Sequence, residues 1–302
     1  MIRVTNSQMY RTALQSLHGA RARMQDAQEV ALSGERASRP SDDPAAIARG
    51  RVLASLLSAA ESHQTNIANG IAVLQRSEDA LTEGHNIMLR AKEIALAASN
   101  GTLGADDRLA MAAEIHELRL SMVDVVNTKH LDEYVFAHVD TDRPPYDAAA
   151  ATFSYDVDTY AGVREAGVGP SQTAEIGASG SRAFAARAAD PGSVDIPAVL
   201  ADLEAHLRAN DLDAIRADVG TVATGFDQIL TERAAVGVRV QRLQRADEAS
   251  QQSRTVYTTL RGDLLDADAA EAFSNLTLAE TTMRAAVTVA SRILGPSLLD
   301  AQ

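Results

Sequence analysis

The chain has no cysteine and no tryptophan, and aromatic residues make up only 4% of it. Without thiols there is no disulfide, no thiolate metal site and no thiol nucleophile. So few aromatics exclude a thick aromatic core and favour long helices packed closely through small side chains. Long apolar runs are missing too: Arg284 and Arg292 interrupt the most apolar stretch, short of the roughly 18 residues a membrane span needs, so no membrane insertion is expected. The opening Met1-Ile2-Arg3-Val4-Thr5-Asn6-Ser7 lacks the apolar core of a cleaved secretory signal, so any route out of the cell should be one without such a peptide. Basic residues are in deficit, 28 against 41 acidic, for a net charge of −13 over 302 residues. That balance excludes nucleic acid as a main partner, because phosphate binding needs basic clusters.

Motifs that carry chemistry are equally sparse. The seven histidines stand at positions 18, 63, 85, 116, 130, 138 and 206, with no His-Glu-x-x-His and no helical i, i+4 pair. Metal ligation needs converging donors, which this spacing does not supply. Asp263, Asp266, Asp268 and Glu271 form the densest carboxylate group, but they lack the alternating acids and central glycine of a calcium loop. They read as a cap for the last helix. Gly167-Val168-Gly169-Pro170 and Gly177-Ala178-Ser179-Gly180 read as turns between short strands, since neither is a phosphate loop or a dinucleotide fingerprint. Asn100-Gly101-Thr102 and Asn275-Leu276-Thr277 fit the short glycosylation pattern, and are read as a turn and as part of a helix. No catalytic residue, metal ligand or cofactor is assigned, and the expectation is a chain that is not an enzyme.

What the sequence does have is a heptad stripe at each end. Tyr10, Ala13, Leu17, Ala20, Met24, Ala27 and Ala31 follow at alternating steps of three and four, and so do Leu276, Ala279, Met283, Ala286, Ala290 and Ile293. That spacing places each set on one stripe of a helix about 40 Å long, the stripe a partner helix would cover. Helices of an ordinary bundle show the same spacing. The placement of two matched stripes at the two termini, each cut from the body by a polar break, favours assembly contacts. Such helices depend on a partner for their fold, so each end is expected to fray in a lone chain.

Between the ends the organisation is mirrored. After Gly34 and the break through Pro40, Asp43 suits an N-cap and Pro44 a first helical position. A helix to about Ser99 carries Leu53, Leu57, Ala60, Ile67, Ile71, Leu74, Leu81, Met88 and Ala95, with Gln64, Glu78, His85 and Lys92 as polar interruptions. A third helix is expected from Asp106 to His130. A segment rich in glycine, proline and aromatics follows, with a strand near Thr152–Val157. Another long helix then runs from Asp211 to Arg261, ended by Gly262. The predicted fold is mainly α: a long antiparallel helical rod or coiled-coil bundle, with terminal helices forming an assembly core and a small β-rich tip domain inserted in the middle. Residues 1–43 and 264–302 are assigned to the inner assembly domain, 44–133 and 195–263 to the rod, and 134–194 to the insert. The insert is expected to tolerate deletion of about 147–181.

The polar breaks also carry a likeness. Ser33-Gly34-Glu35-Arg36-Ala37-Ser38-Arg39-Pro40-Ser41-Asp42-Asp43-Pro44-Ala45 resembles a segment of bacterial flagellins and their hook-associated relatives, as does the stretch from Asn66 to Leu81 that contains Asn69-Gly70. Asn100-Gly101-Thr102 with Asp107-Arg108 extends the match. So do Val236-Gly237-Val238-Arg239 and Asp266-Ala267-Asp268 towards the other end. Arg39-Pro40-Ser41-Asp42-Asp43-Pro44, Asn127-Thr128-Lys129 and Tyr134-Val135-Phe136-Ala137 are most similar to the junction branch of that family. His138, where glycine is usual, and Leu131-Asp132-Glu133 depart from it.

The resemblance implies a structural part of the bacterial flagellum, an adapter at the hook–filament junction that polymerises through its terminal helices. The alternative is a filament-forming flagellin. Implied partners are other copies of the chain, a neighbouring hook-associated protein and flagellin, and a cytoplasmic export chaperone on the C-terminal helix. The implied location is extracellular.

Overall fold

A computed structural model describes residues 6–137, 140–158 and 163–294. Among them lie seven helices and six short strands. The N-terminal half holds α1 (Asn6–Ser33), α2 (Pro44–Ala98) and α3 (Ala105–Val126). The middle holds strands β1 (Lys129–His130), β2 (Glu133–Tyr134), β3 (Tyr146–Asp147), β4 (Thr152–Phe153), β5 (Glu165–Gly169) and β6 (Gln172–Glu175). The rest is α4 (Gly180–Phe184), α5 (Ile196–Ala209), α6 (Leu212–Leu265) and α7 (Ala269–Leu294). The fold is mainly α, with small antiparallel hairpins. The chain divides into two compact units, Met1–Ala59 with Ser253–Gln302, and Ala60–Gln252.

The larger unit, 60–252, is built on the heptad pattern. Ile67, Leu74, Leu81, Met88 and Ala95 repeat every seven residues along α2, and all are fully buried. Ile215, Val222, Ile229, Val236 and Leu243 do the same along α6. A repeat of seven keeps one side of a helix against its neighbour over many turns. The polar interruptions on α2 are matched from α6. Glu78 accepts from Arg233 at 2.9 Å, and the ring of Phe226 lies 4.5 Å from that of His85 and 5.1 Å from Lys92 Nζ.

Two helix ends differ from the sequence expectation. α3 stops at Val126, four residues before His130, because the Asn127 side chain takes over as a strand-like partner. Its Nδ2 donates to Tyr146 O at 2.9 Å and its Oδ1 accepts from Tyr146 N–H at 3.0 Å. Gly262 does not end α6, which continues to Leu265. Glycine ends a helix by turning left-handed, and the glycine that does so here is Gly34, at φ 71°.

The β-rich segment consists of three separate hairpins, β1–β2, β3–β4 and β5–β6. They are not a body of their own. Val168, Ala174, Ala178 and Phe184 belong to the same buried cluster as the α2 and α6 stripes. The β5–β6 hairpin is pinned to α2, where Asn66 Nδ2 donates to Gly167 O at 3.0 Å, and to α6, where Arg242 donates to Thr173 O at 3.0 Å. The expectation that 147–181 can be deleted freely is therefore corrected, since removing it would open the core. Just past β6, Ile176 lies against Gly70, and a Cβ there would stand 2.7 Å from Ile176 Cγ2. Gly70→Val should destabilise the unit by about 1–3 kcal/mol through overpacking. Gly237→Val, with nothing within 4 Å, should be close to neutral. Urea midpoints would decide between them.

Helix α5 is anchored by two charged contacts. Glu204 accepts from Arg208 at 2.9 Å and lies 3.1 Å from His116 Nδ1 and 3.3 Å from Arg119 Nε. Burial opposes its ionisation, but hydrogen bonds from Arg208, His116 and Arg119 outweigh that and hold its pKa below the usual range. On the other side, His206 Nδ1 lies 2.7 Å from Asp218 Oδ2. That hydrogen bond, with nearby Asp202 and Asp211, raises the His206 pKa. A raised histidine contributes stability that is complete below its unfolded pKa and is lost as pH rises through the folded value. His206→Gln should therefore lower the urea midpoint on the acid side of that window and hardly change it well above. An equal loss at both ends would show that the contact is not ionic.

Candidate assembly site

The unit formed by 1–59 and 253–302 contains both heptad stripes, and the structure brings them together. The end of α1 meets the start of α7 through an antiparallel bridge between Glu35 and Asp266, so the two helices pack side by side in opposite directions. In this arrangement α1 and α7 are each other's packing partner. Ala13, Ala20 and Ala290 are buried. Leu17, Met24, Ala27, Ala31, Leu276, Ala279, Met283 and Ala286 are half-buried, while Tyr10 is exposed. The side chain of Ile293 lies outside the described residues.

Sequence reading missed that the two polar breaks dock on each other. Arg36 N–H donates to Leu265 O at 2.6 Å, Ala267 N–H to Gly34 O at 2.8 Å, and the Arg36 side chain to Leu264 O at 3.0 Å. Ala37, Ala46 and Leu265 form a small buried cluster beneath, against which Ile47 and Leu264 pack. Gly50 leaves room for this: a Cβ there would sit 2.7 Å from Leu265 Cδ1. These contacts join residues more than two hundred positions apart, so no local pattern could announce them.

The family-motif residues do not form one site. Most are joints. Asp43 caps α2 by accepting from Ala46 N–H at 2.9 Å, just ahead of Pro44. Asp268 caps α7 by accepting from Ala270 N–H at 2.8 Å. Asp42 accepts from Arg39 N–H at 2.9 Å and from Ser41 Oγ, and the backbone bond holds its pKa below the ordinary range. Asp266 forms the bridge to Glu35. Asn69, Gly70, Arg108 and Gly237 belong to the other unit. Arg108 is buried there and donates to Ala98 O, Asn100 O and Asn210 Oδ1, tying the turn after α2 to the turn before α6.

Two helices cannot cover each other all round, and what α7 leaves uncovered is chemically unusual. Phe273, Leu278, Val287 and Val289 are exposed, Leu278 at 66%. From Ala272 to Ser291 the only charged residues are Glu280 and Arg284, whose side chains lie 3.7 Å apart. Thr277, Thr281, Thr282, Thr288 and Ser291 all donate to carbonyls of their own helix. Groups already paired lose little on leaving water. A groove of about 220 Å³ also lies between the helices, bordered by Ala20, Arg23 and Ala27 on one side and Asn275, Leu278, Ala279 and Thr282 on the other. A knob from a further helix fits such a groove. At about 100° per residue, Phe273 and Val287 lie on one flank of the stripe and Leu278 and Val289 on the other, so α7 offers two apolar flanks beside its contact with α1.

Comparison with known proteins gives this surface a context. Residues 4–141 match the model of the bacterial flagellin N-terminal helical region. Flagellar hook-associated protein 3 of Escherichia coli is 26% identical over 98% of this chain and 98% of that protein. Flagellin FlaB1 of Treponema pallidum is 33% identical, but over 30% of this chain and 32% of that protein. Among solved structures, flagellar hook-associated protein 3 of Legionella pneumophila superposes with a TM-score of 0.60 over 71% of this chain and 98% of that one, at 13% identity. That likeness is one of fold.

Proposed function

We infer the role of this chain from the family it belongs to, the bacterial flagellins and their hook-associated relatives: it is a structural component of the bacterial flagellum, an adapter at the hook–filament junction that polymerises through its terminal helices. The observation that carries the junction reading is the extent of the likeness. It runs end to end with a hook-associated protein, over 98% of both chains, whereas flagellins such as that of Clostridium tyrobutyricum match 41% of this chain and 33% of their own length. A filament-forming flagellin is the second reading.

The assembly surface is assigned to the uncovered sides of α1 and α7, around the paired stripes, within an inner domain of residues 1–43 and 264–302. Residues 44–133 and 195–263 are read as the helical body, and 134–194 as the β-rich insert. Its partners are other copies of itself, a neighbouring hook-associated protein and flagellin. An export chaperone in the cytoplasm would cover the apolar face of α7 before assembly, and the chain would leave the cell without a cleaved signal. The work is mechanical, with no catalytic centre.

Gold labelling of a tagged chain in intact flagella tests this. Label confined to the zone between hook and filament is expected. Label spread along the filament, or long filaments grown from the purified chain alone, would favour the flagellin reading.

A further inference from the structure

We propose that Asn100 is a site of spontaneous chemical modification in the folded chain, losing its side-chain amide through a succinimide closed by the Gly101 nitrogen. Asn100, Gly101 and Thr102 are exposed in the turn after α2. The side-chain oxygen of Asn100 accepts from Thr102 N–H at 3.2 Å and from Thr102 Oγ1 at 3.0 Å. Gly101 N–H makes no hydrogen bond among the described residues. A Cβ at Gly101 would meet only Leu212, at 3.8 Å, so no neighbour crowds the turn.

The step needs nothing but water. Hydroxide removes the Gly101 amide proton, and the nitrogen attacks Asn100 Cγ. Negative charge develops on Oδ1, where the two Thr102 donors already point, as donors aimed at a developing oxyanion do. The intermediate collapses by breaking the Cγ–Nδ2 bond, and ammonia leaves with a proton from solvent. Water then opens the succinimide. Attack at Cγ gives aspartate; attack at the main-chain carbonyl gives isoaspartate, with the chain rerouted through Cγ and the former carbonyl freed as a carboxylate.

Arg108 bears on which product forms. Its guanidinium donates to Asn100 O at 2.9 Å, and all three of its acceptors, Ala98 O, Asn100 O and Asn210 Oδ1, are neutral. Isoaspartate puts a carboxylate where that buried cation now meets a carbonyl. An opposite charge beside that cation favours the opening that frees the carboxylate there, so the isoaspartate share should rise in the folded chain.

The chain carries its own control. Asn69-Gly70 is the same dipeptide inside α2, where Gly70 is buried beneath Ile176 and its N–H is held within the helix. The intact chain is incubated in mildly alkaline buffer, digested, and mapped by fragmentation mass spectrometry that separates aspartate from isoaspartate. Asn100 should convert while Asn69 keeps its amide. Thr102→Val should slow conversion roughly fivefold, the worth of one hydrogen bond, with circular dichroism confirming an unchanged fold. The isoaspartate share should be higher in the folded chain than in urea. If Asn100 stays intact in the folded chain but converts in urea, or if Thr102→Val converts as fast, the proposal is overturned. An isoaspartate share no higher than in urea removes the part given to Arg108.

Discussion

Replacing Arg239 by alanine is expected to destabilise the 60–252 unit by roughly 3–5 kcal/mol, the cost of leaving half of a buried ion pair behind. Arg239 is 8% exposed, and its guanidinium donates to Glu232 Oε1 at 2.7 Å and to Glu175 Oε2 at 2.5 Å. Glu232 is 4% exposed and also accepts from Ser179 N–H at 3.0 Å. Arg239 therefore holds together α6, strand β6 and the start of α4. Without it, the Glu232 carboxylate must stay charged in the core, bind a proton, or break out. Glu232→Gln should be milder than Glu232→Ala, because the amide oxygen can still receive Ser179 N–H. Urea unfolding is the measurement, and the Arg239→Ala midpoint should fall by more than about 1 M. Arg216→Ala, at an exposed i, i+3 pair with Asp213, should barely move it. Equal shifts would mean that the triad is no more than a surface contact.

Arg239 also marks the limit of what the sequence could say. The stripe along α2 was readable because each buried residue announces the next, seven positions on. Helix starts were readable for a similar reason: Asp43 and Asp268 cap the residues that directly follow them. Arg239 belongs to a readable motif, but its partners lie 64 and 7 positions away, and only the fold brings Glu175 to it. The docking of the two polar breaks and the seating of Ile176 on Gly70 were hidden for the same reason. Periodicity reports which face of a helix is buried, not what buries it. At the termini it marked two stripes as assembly faces, and the fold packs them on each other with Ala13, Ala20 and Ala290 buried and Tyr10 exposed.

That difference changes what a charge in α7 should do. Met283→Glu places a carboxylate in the half-buried stripe of α7, where it loses part of its hydration. It is expected to open the α1–α7 pair in the lone chain and to abolish incorporation into flagella as a consequence. Leu278→Glu is the sharper test. At 66% exposure, Leu278 has water around it in the lone chain, so the substitution should leave helicity and melting temperature almost unchanged. If the uncovered face of α7 is the assembly surface, incorporation should still fall at least tenfold, because each copy would have to bury an unpaired carboxylate. Arg284→Glu, with its side chain 80% exposed beside Glu280, should be milder than either. Export has to be followed separately, since a chaperone on α7 would meet the same residues. The decisive outcome is Leu278→Glu exported, folded and absent from flagella. If it assembles as well as the natural chain while Met283→Glu does not, the terminal stripes serve only to pair the chain's own ends, and the contacts between copies lie elsewhere on the molecule.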